Sequence, residues 1–146
     1  MAYTTIDKSS LYFNTLAYTG TGSTNTKTGV GFQPDWIWIK NRSGVEDHLL
    51  MDVVRTFAVN KGLRSNGSDE EGGISTSTFG YPVATSDGFT ATAGSTNSKL
   101  VNDSGDNYVA WNWKAGTTGS GTTGGSGTTK SYSYSVNTTS GFSIVK

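Results

Sequence analysis

The chain has 146 residues, with 20 Gly, 19 Ser, 23 Thr and 10 Asn making up almost half of it beside 4 Trp, 7 Tyr and 6 Phe. Aromatic content this high excludes wholesale disorder, and the scarcity of strong helix formers leaves one small all-β domain. Eleven basic residues cancel eleven acidic ones, so there is no basic stripe for nucleic acid; no apolar run reaches the roughly 18 residues of a membrane span, and without cysteine there is no disulfide or thiolate-held metal.

The opening residues 1–7 lack the basic-then-apolar order of a signal peptide. Residues 11–18 read as a strand closed by Gly20. The strongest local signal is 35–40, where β-branched and aromatic residues alternate: Trp36 and Trp38 share one face, Ile37 and Ile39 the other. Pro34 just before it suits a strand entry, where a missing N–H is tolerated. Residues 49–57 alternate imperfectly through Met51, Val53 and Arg55. The stretch 49–60 is the only helix candidate, and its valines and threonine favour a strand. Residues 65–73 form an acidic, glycine-rich loop.

Further along, a Ser86-Asp87-Gly88 turn introduces a strand at 88–92. Residues 108–113 form a second Trp-rich strand, with Val109, Trp111 and Trp113 on one face and Tyr108, Ala110 and Asn112 on the other. The four indoles Trp36, Trp38, Trp111 and Trp113 are therefore expected to dominate one core. Residues 115–129, built only of Ala, Gly, Thr and Ser, read as a flexible loop or linker. Strands at 132–136 and 141–145 complete the chain's strand pattern. Gly-Phe-Thr/Ser recurs at Gly88-Phe89-Thr90 and Gly141-Phe142-Ser143, and Gly31-Phe32-Gln33 resembles both; this is too short for a repeat array.

The expected architecture is an antiparallel β-sandwich or jelly roll, lectin-like, with residues 1–114 as the sandwich and 115–129 as the loop. Residues 130–146 are then terminal strands that complete the same sandwich or pair with a neighbouring subunit.

Little in the sequence points to catalysis. His48 is the one histidine, no Gly-x-Ser-x-Gly elbow surrounds a serine, and the carboxylates fall mostly in turns where Asp caps its own backbone. No enzyme and no cofactor is expected. Asp69, Asp103 and Asp106 come nearest to a calcium-type cluster, and a solvated acidic loop is the plainer reading, so no metal site is expected. Sugars stack on exposed aromatic faces. Tyr132 and Tyr134, alternating with serines on one strand, are the candidates for a glycan or interface platform.

The run Gly31-Phe32-Gln33-Pro34-Asp35-Trp36-Ile37-Trp38-Ile39-Lys40-Asn41-Arg42-Ser43 resembles the GF-x-PD-h-VWIK-x-RS signature of a structural-protein family of tailed phages. Asp52-Val53-Val54-Arg55, Ser86-Asp87-Gly88-Phe89, Tyr108-Val109-Ala110-Trp111-Asn112-Trp113 and Gly141-Phe142-Ser143-Ile144-Val145 are similar to later motifs in the same order. So is the opening Met1-Ala2-Tyr3-Thr4-Thr5-Ile6-Asp7-Lys8-Ser9. The resemblance spans nearly the whole chain and implies a lectin-like β-sandwich module of decoration and tail-fibre proteins. Such proteins often continue past the segment matching 141–145.

The resemblance also implies a virion protein without enzymatic activity: an outer capsid decoration or cement subunit, or alternatively a glycan-binding adhesion or adaptor module of a tail fibre. Its partners would be the major capsid protein or tail proteins, further copies in a homotrimer joined through 11–18 or 132–136, and host-surface glycan, with no nucleic acid and no membrane. Arg42, Arg55, Lys61 and Arg64 would be the polar anchors to an acidic capsid surface.

Overall fold

The computed structural model describes residues 6–146; the first five, which open the resemblance, lie outside the described residues. The sandwich expectation holds. A five-stranded antiparallel sheet has the order β1 (Phe13–Thr19), β8 (Asn107–Trp113), β3 (Trp36–Asn41), β4 (Leu49–Asp52), β5 (Leu63–Arg64). Over one face lies a three-stranded sheet of β2 (Asn25–Thr28), β7 (Gly88–Ala91) and β6 (Pro82–Thr85). A third sheet contains β11 (Phe142–Val145), β10 (Ser131–Asn137) and β9 (Thr117–Thr122). One helical turn, α1 (Thr76–Phe79), precedes β6.

Strict alternation on β3 and β8 decides the layering. Ile37, Ile39, Tyr108 and Ala110 point to the small sheet and meet Leu49, Met51, Phe89, Ala91, Ile74 and Val101 in one fully buried cluster. Tyr18 of β1 stacks on Tyr108 at 5.2 Å and meets Phe89 edge-on at 5.7 Å. Its hydroxyl donates to the Val101 carbonyl at 2.6 Å. Burial, aided by the neighbouring Tyr108, pushes the Tyr18 phenol well above its ordinary pKa, so the group stays a donor.

The four tryptophans are a correction. They share a face as expected, but it is the opposite one, and each indole is only half-buried. The core instead uses the aliphatic face, because the small sheet closes over that side and gives its residues complete cover.

Two further expectations change. The strand at 49–57 stops at Asp52, whose carboxylate accepts the Arg55 backbone N–H at 2.8 Å and turns the chain. The flexible segment 115–129 contains a strand: Thr117–Thr122 pairs along its length with β10. Its glycines explain this. Tyr134 lies opposite Gly119 and Tyr132 opposite Gly121, and a Cβ on either glycine would come within 2.5–2.7 Å of the facing tyrosine hydroxyl. The rings fill the side-chain space that the glycines leave, which holds a strand that composition alone disfavours.

The third sheet closes part of the Trp face. Phe142 stacks on Trp36 at 5.5 Å and 15°, and lies 6.1 Å from Trp113. Ile144 is buried beside it. Both Gly88 and Gly141 have positive φ, 148° and 69°. This lets the chain turn and deliver the next residue inward, Phe89 to the core and Phe142 to the indoles, which accounts for the repeated Gly-Phe step.

Candidate functional site: an aromatic cleft beside the indole ladder

The register of β1, β8 and β3 stacks aromatic rows on the outer face: Phe13, Trp113 and Trp36 in one, Trp111 and Trp38 in the next. Phe13 and Trp113 stand 4.8 Å apart, Trp113 and Trp36 5.2 Å, and Trp111 and Trp38 5.1 Å. Trp38 further meets the His48 ring at 6.2 Å. Phe142 covers one end of this ladder and leaves a cleft of about 270 Å³ between itself and β1. Trp113 and Phe13 line it with Tyr12, Ser9, Ile6, Gly141 and Ser140. Among the described residues no charged side chain lines the cleft, and the buried Ser140 hydroxyl makes no hydrogen bond.

Of the cleft's residues only Trp113 is a site residue expected from the sequence. Phe142 carries a signal in the Gly-Phe echo. Tyr12, Phe13 and Ser140 carry none, since they reach Trp113 only through long-range pairing. Tyr132 and Tyr134 stand elsewhere, side by side at 6.2 Å and half-buried. They share the sheet face of Val145, opposite to that of Phe142 and Ile144. They form a flat strip and not a pocket.

Of the proposed capsid-contacting cations, three are spent internally. Arg55 pairs with Asp52 at 2.8 Å and Glu71 at 3.4 Å. Lys61 reaches Glu71 at 3.6 Å, and Arg64 bridges Asp47 and Asp69 at 3.2 and 3.1 Å. Such pairs tie loops together and leave little for a partner. Arg42 is exposed and makes no ion pair among the described residues. Of the four expected anchors, Arg42 is thus the one without an internal ion pair among the described residues.

Asp106 accepts the buried Asn41 amide at 2.7 Å, and the backbone N–H of Asp103 donates to the Tyr108 hydroxyl at 2.8 Å. With Asp69 taken by Arg64, two of the three candidate carboxylates serve the fold, and Asp103 serves it through its backbone. No group of three His, Asp or Glu among the described residues could hold a metal ion.

His48 does meet a serine, with Ser65 Oγ 3.2 Å from Nδ1. Its other nitrogen faces Lys40 Nζ at 2.8 Å. An ammonium can only donate, so Nε2 is the acceptor and Nδ1 carries the proton. Partial burial, and then the Lys40 charge, lower the His48 pKa. A serine-activating triad needs a carboxylate where Lys40 stands, so this pair is inverted for nucleophilic catalysis.

The Asp35 carboxyl is also perturbed. Burial raises its pKa, opposed by backbone N–H groups of Ala115 and Gly116. It accepts the Ala115 N–H at 2.8 Å while its own backbone joins Trp113 and Val53. Asp35 therefore pins the start of β3 to the exit of β8.

No curated protein and no solved structure matched the chain in the comparisons made. A family model described as a domain of unknown function, DUF7483, matches residues 8–146. The chain therefore belongs to the DUF7483 family; the indole ladder lies within the matched span, and so does the aromatic cleft apart from Ile6.

Proposed function

We propose that the chain is a non-enzymatic structural subunit of a tailed-phage virion, an outer capsid decoration or cement protein that stabilises the shell by contacts with its neighbours. The observation that carries this reading is the outer edge of β1. Its seven residues, Phe13–Thr19, pair among the described residues with β8 on one side only, and they include no charge and no proline. Leu11 and Phe13 at its start are 51% and 37% exposed. An edge of this length without guards is a template for another strand. β10 is not: it lies between β9 and β11, so 132–136 is withdrawn as a pairing strand.

The motifs around Gly31–Ser43 support the phage assignment by resemblance, and the internally paired arginines suit contacts made by strand edges and apolar side chains. In a trimer each β1 would pair with a different edge of the next copy, because one free edge accepts one strand, and each contact would need to bury about 800 Å² per partner to be specific. The Thr15 N–H turns to the Asn14 side chain at 2.9 Å, so by alternation the Ala17 N–H also points away from β8. Ala17→Pro would then block a new strand while sparing the β8 ladder. Light scattering should find trimers for the parent chain and monomers for Ala17→Pro. A parent chain that stays monomeric at high concentration would contradict β1-mediated association.

A second reading, a glycan-binding adhesion module of a tail fibre, is favoured by one feature: the uncharged aromatic cleft at Trp113.

A further inference from the structure

We propose that the cleft between Tyr12, Phe13, Trp113 and Phe142 binds a neutral pyranose, one or two rings long. The inference rests on the glycan-binding reading for its ligand class and is independent of where the subunit sits in a particle. Four observations converge on it.

The first is size. At about 270 Å³ the cleft lies just under the range of roughly 300–1,000 Å³ typical of drug-sized ligands, so it suits a small one. The second is charge. With no Lys, Arg, His, Asp or Glu in the lining among the described residues, phosphate, sulfate or carboxylate groups would enter without a counter-charge, at a heavy desolvation cost.

The third is ring geometry. Trp113 and Phe142 are only 20° from parallel, and Phe13 lies 51° from Trp113, so two aromatic walls meet at an angle. The C–H face of a pyranose can lie on one wall while its edge meets the other. The fourth is the polar complement. Ser9, Tyr12 and Ser140, each carrying a hydroxyl, line the cleft beside the aromatic rings, and the buried Ser140 hydroxyl lacks a partner among the described residues. A hydroxyl both donates and accepts, which matches a sugar hydroxyl. A proline-rich peptide, the competing occupant of an aromatic groove, brings apolar rings and acceptor carbonyls but no donors on those rings.

The test is a titration of the ¹⁵N-labelled full chain with methyl pyranosides of glucose, galactose, mannose and N-acetylglucosamine, following backbone amides and indole N–H signals. Saturable shifts at the Trp113 indole and the Gly141 amide with at least one glycoside are expected. Tyr12→Ala and Ser140→Ala, each checked for a native spectrum, should each weaken that affinity by about tenfold, equivalent to about 1.4 kcal/mol. Saturable shifts confined to Tyr132, Tyr134 or Trp111 would keep the glycan-binding reading and overturn the cleft. No saturable shift with any of the four glycosides would overturn both. Saturation by a proline-rich peptide, with the glycosides silent, would also overturn the assignment.

Discussion

Lys146 Nζ donates to Glu71 Oε1 at 2.7 Å and thereby ties the strand pair β10–β11 to the loop before α1. Glu71 also receives Arg55 at 3.4 Å and Lys61 at 3.6 Å, so one carboxylate gathers three cations. Phe142 and Ile144 hold the same sheet from the apolar side. The third sheet is thus fastened by two stacked or buried side chains and one ion cluster, with a tether at 114–116.

Acid should loosen this fastening first. The hydrogen bond from Lys146, followed by the surrounding cations, lowers the Glu71 pKa below its ordinary 4.5. A depressed carboxyl contributes stability that is present above the unfolded pKa and lost as pH falls through the folded one. Protection factors of β10 and β11 amides, with the pH dependence of intrinsic exchange divided out, should therefore fall below about pH 4.5, before those of β3 and β8. Glu71→Gln should show the faster exchange already at neutral pH. Equal exchange in variant and parent at neutral pH would refute the latch.

The assignment of the core to the aliphatic face predicts an inversion of the usual size rule. Ile37 is fully buried, so Ile37→Ala should cost about 2–5 kcal/mol. Trp38 is half-buried, and its indole N–H is buried without a hydrogen bond among the described residues, a desolvation cost that truncation removes. Trp38→Ala should cost less, roughly 1–2 kcal/mol. Urea denaturation of both variants decides it, and a larger loss for Trp38→Ala would return the indoles to the core.

Glycines of the 115–129 segment should separate by position. A Cβ at Gly119 would meet the Tyr134 ring, with its hydroxyl at 2.5 Å, whereas one at Gly124 would meet nothing within 4 Å. Gly119→Ala should displace Tyr134 and destabilise the third sheet. Gly124→Ala should be neutral or slightly stabilising through the unfolded state. Melting curves together with tyrosine fluorescence compare the two, and equal behaviour would mean that 117–122 is not held as a strand.

The all-β class, the strands at 35–40 and 108–113 and the shared face of the four indoles were all legible, because β-branched and aromatic residues alternate there without ambiguity. Which face becomes core was not legible. Both faces of β3 are apolar, and the deciding partner, the small sheet, is written in Asn25-Thr26-Lys27-Thr28 and Pro82-Val83-Ala84-Thr85, where hydrophobic periodicity is faint. β9 was hidden for a related reason: Thr-Thr-Gly-Ser-Gly-Thr has no apolar period, and its strand depends on tyrosines 11 to 15 positions away opposite Gly119 and Gly121. The cleft was half visible. Trp113 stood out, but Phe13 reaches it across a pairing of residues 100 positions apart, which no local pattern encodes.

Gold-labelled antibody against the chain on intact phage particles tests the proposed role as a virion surface subunit most directly. Label distributed over the capsid shell is the predicted result. Label confined to the tail tip or fibres would contradict the decoration role and favour adhesion, and particles without label would contradict a virion role altogether.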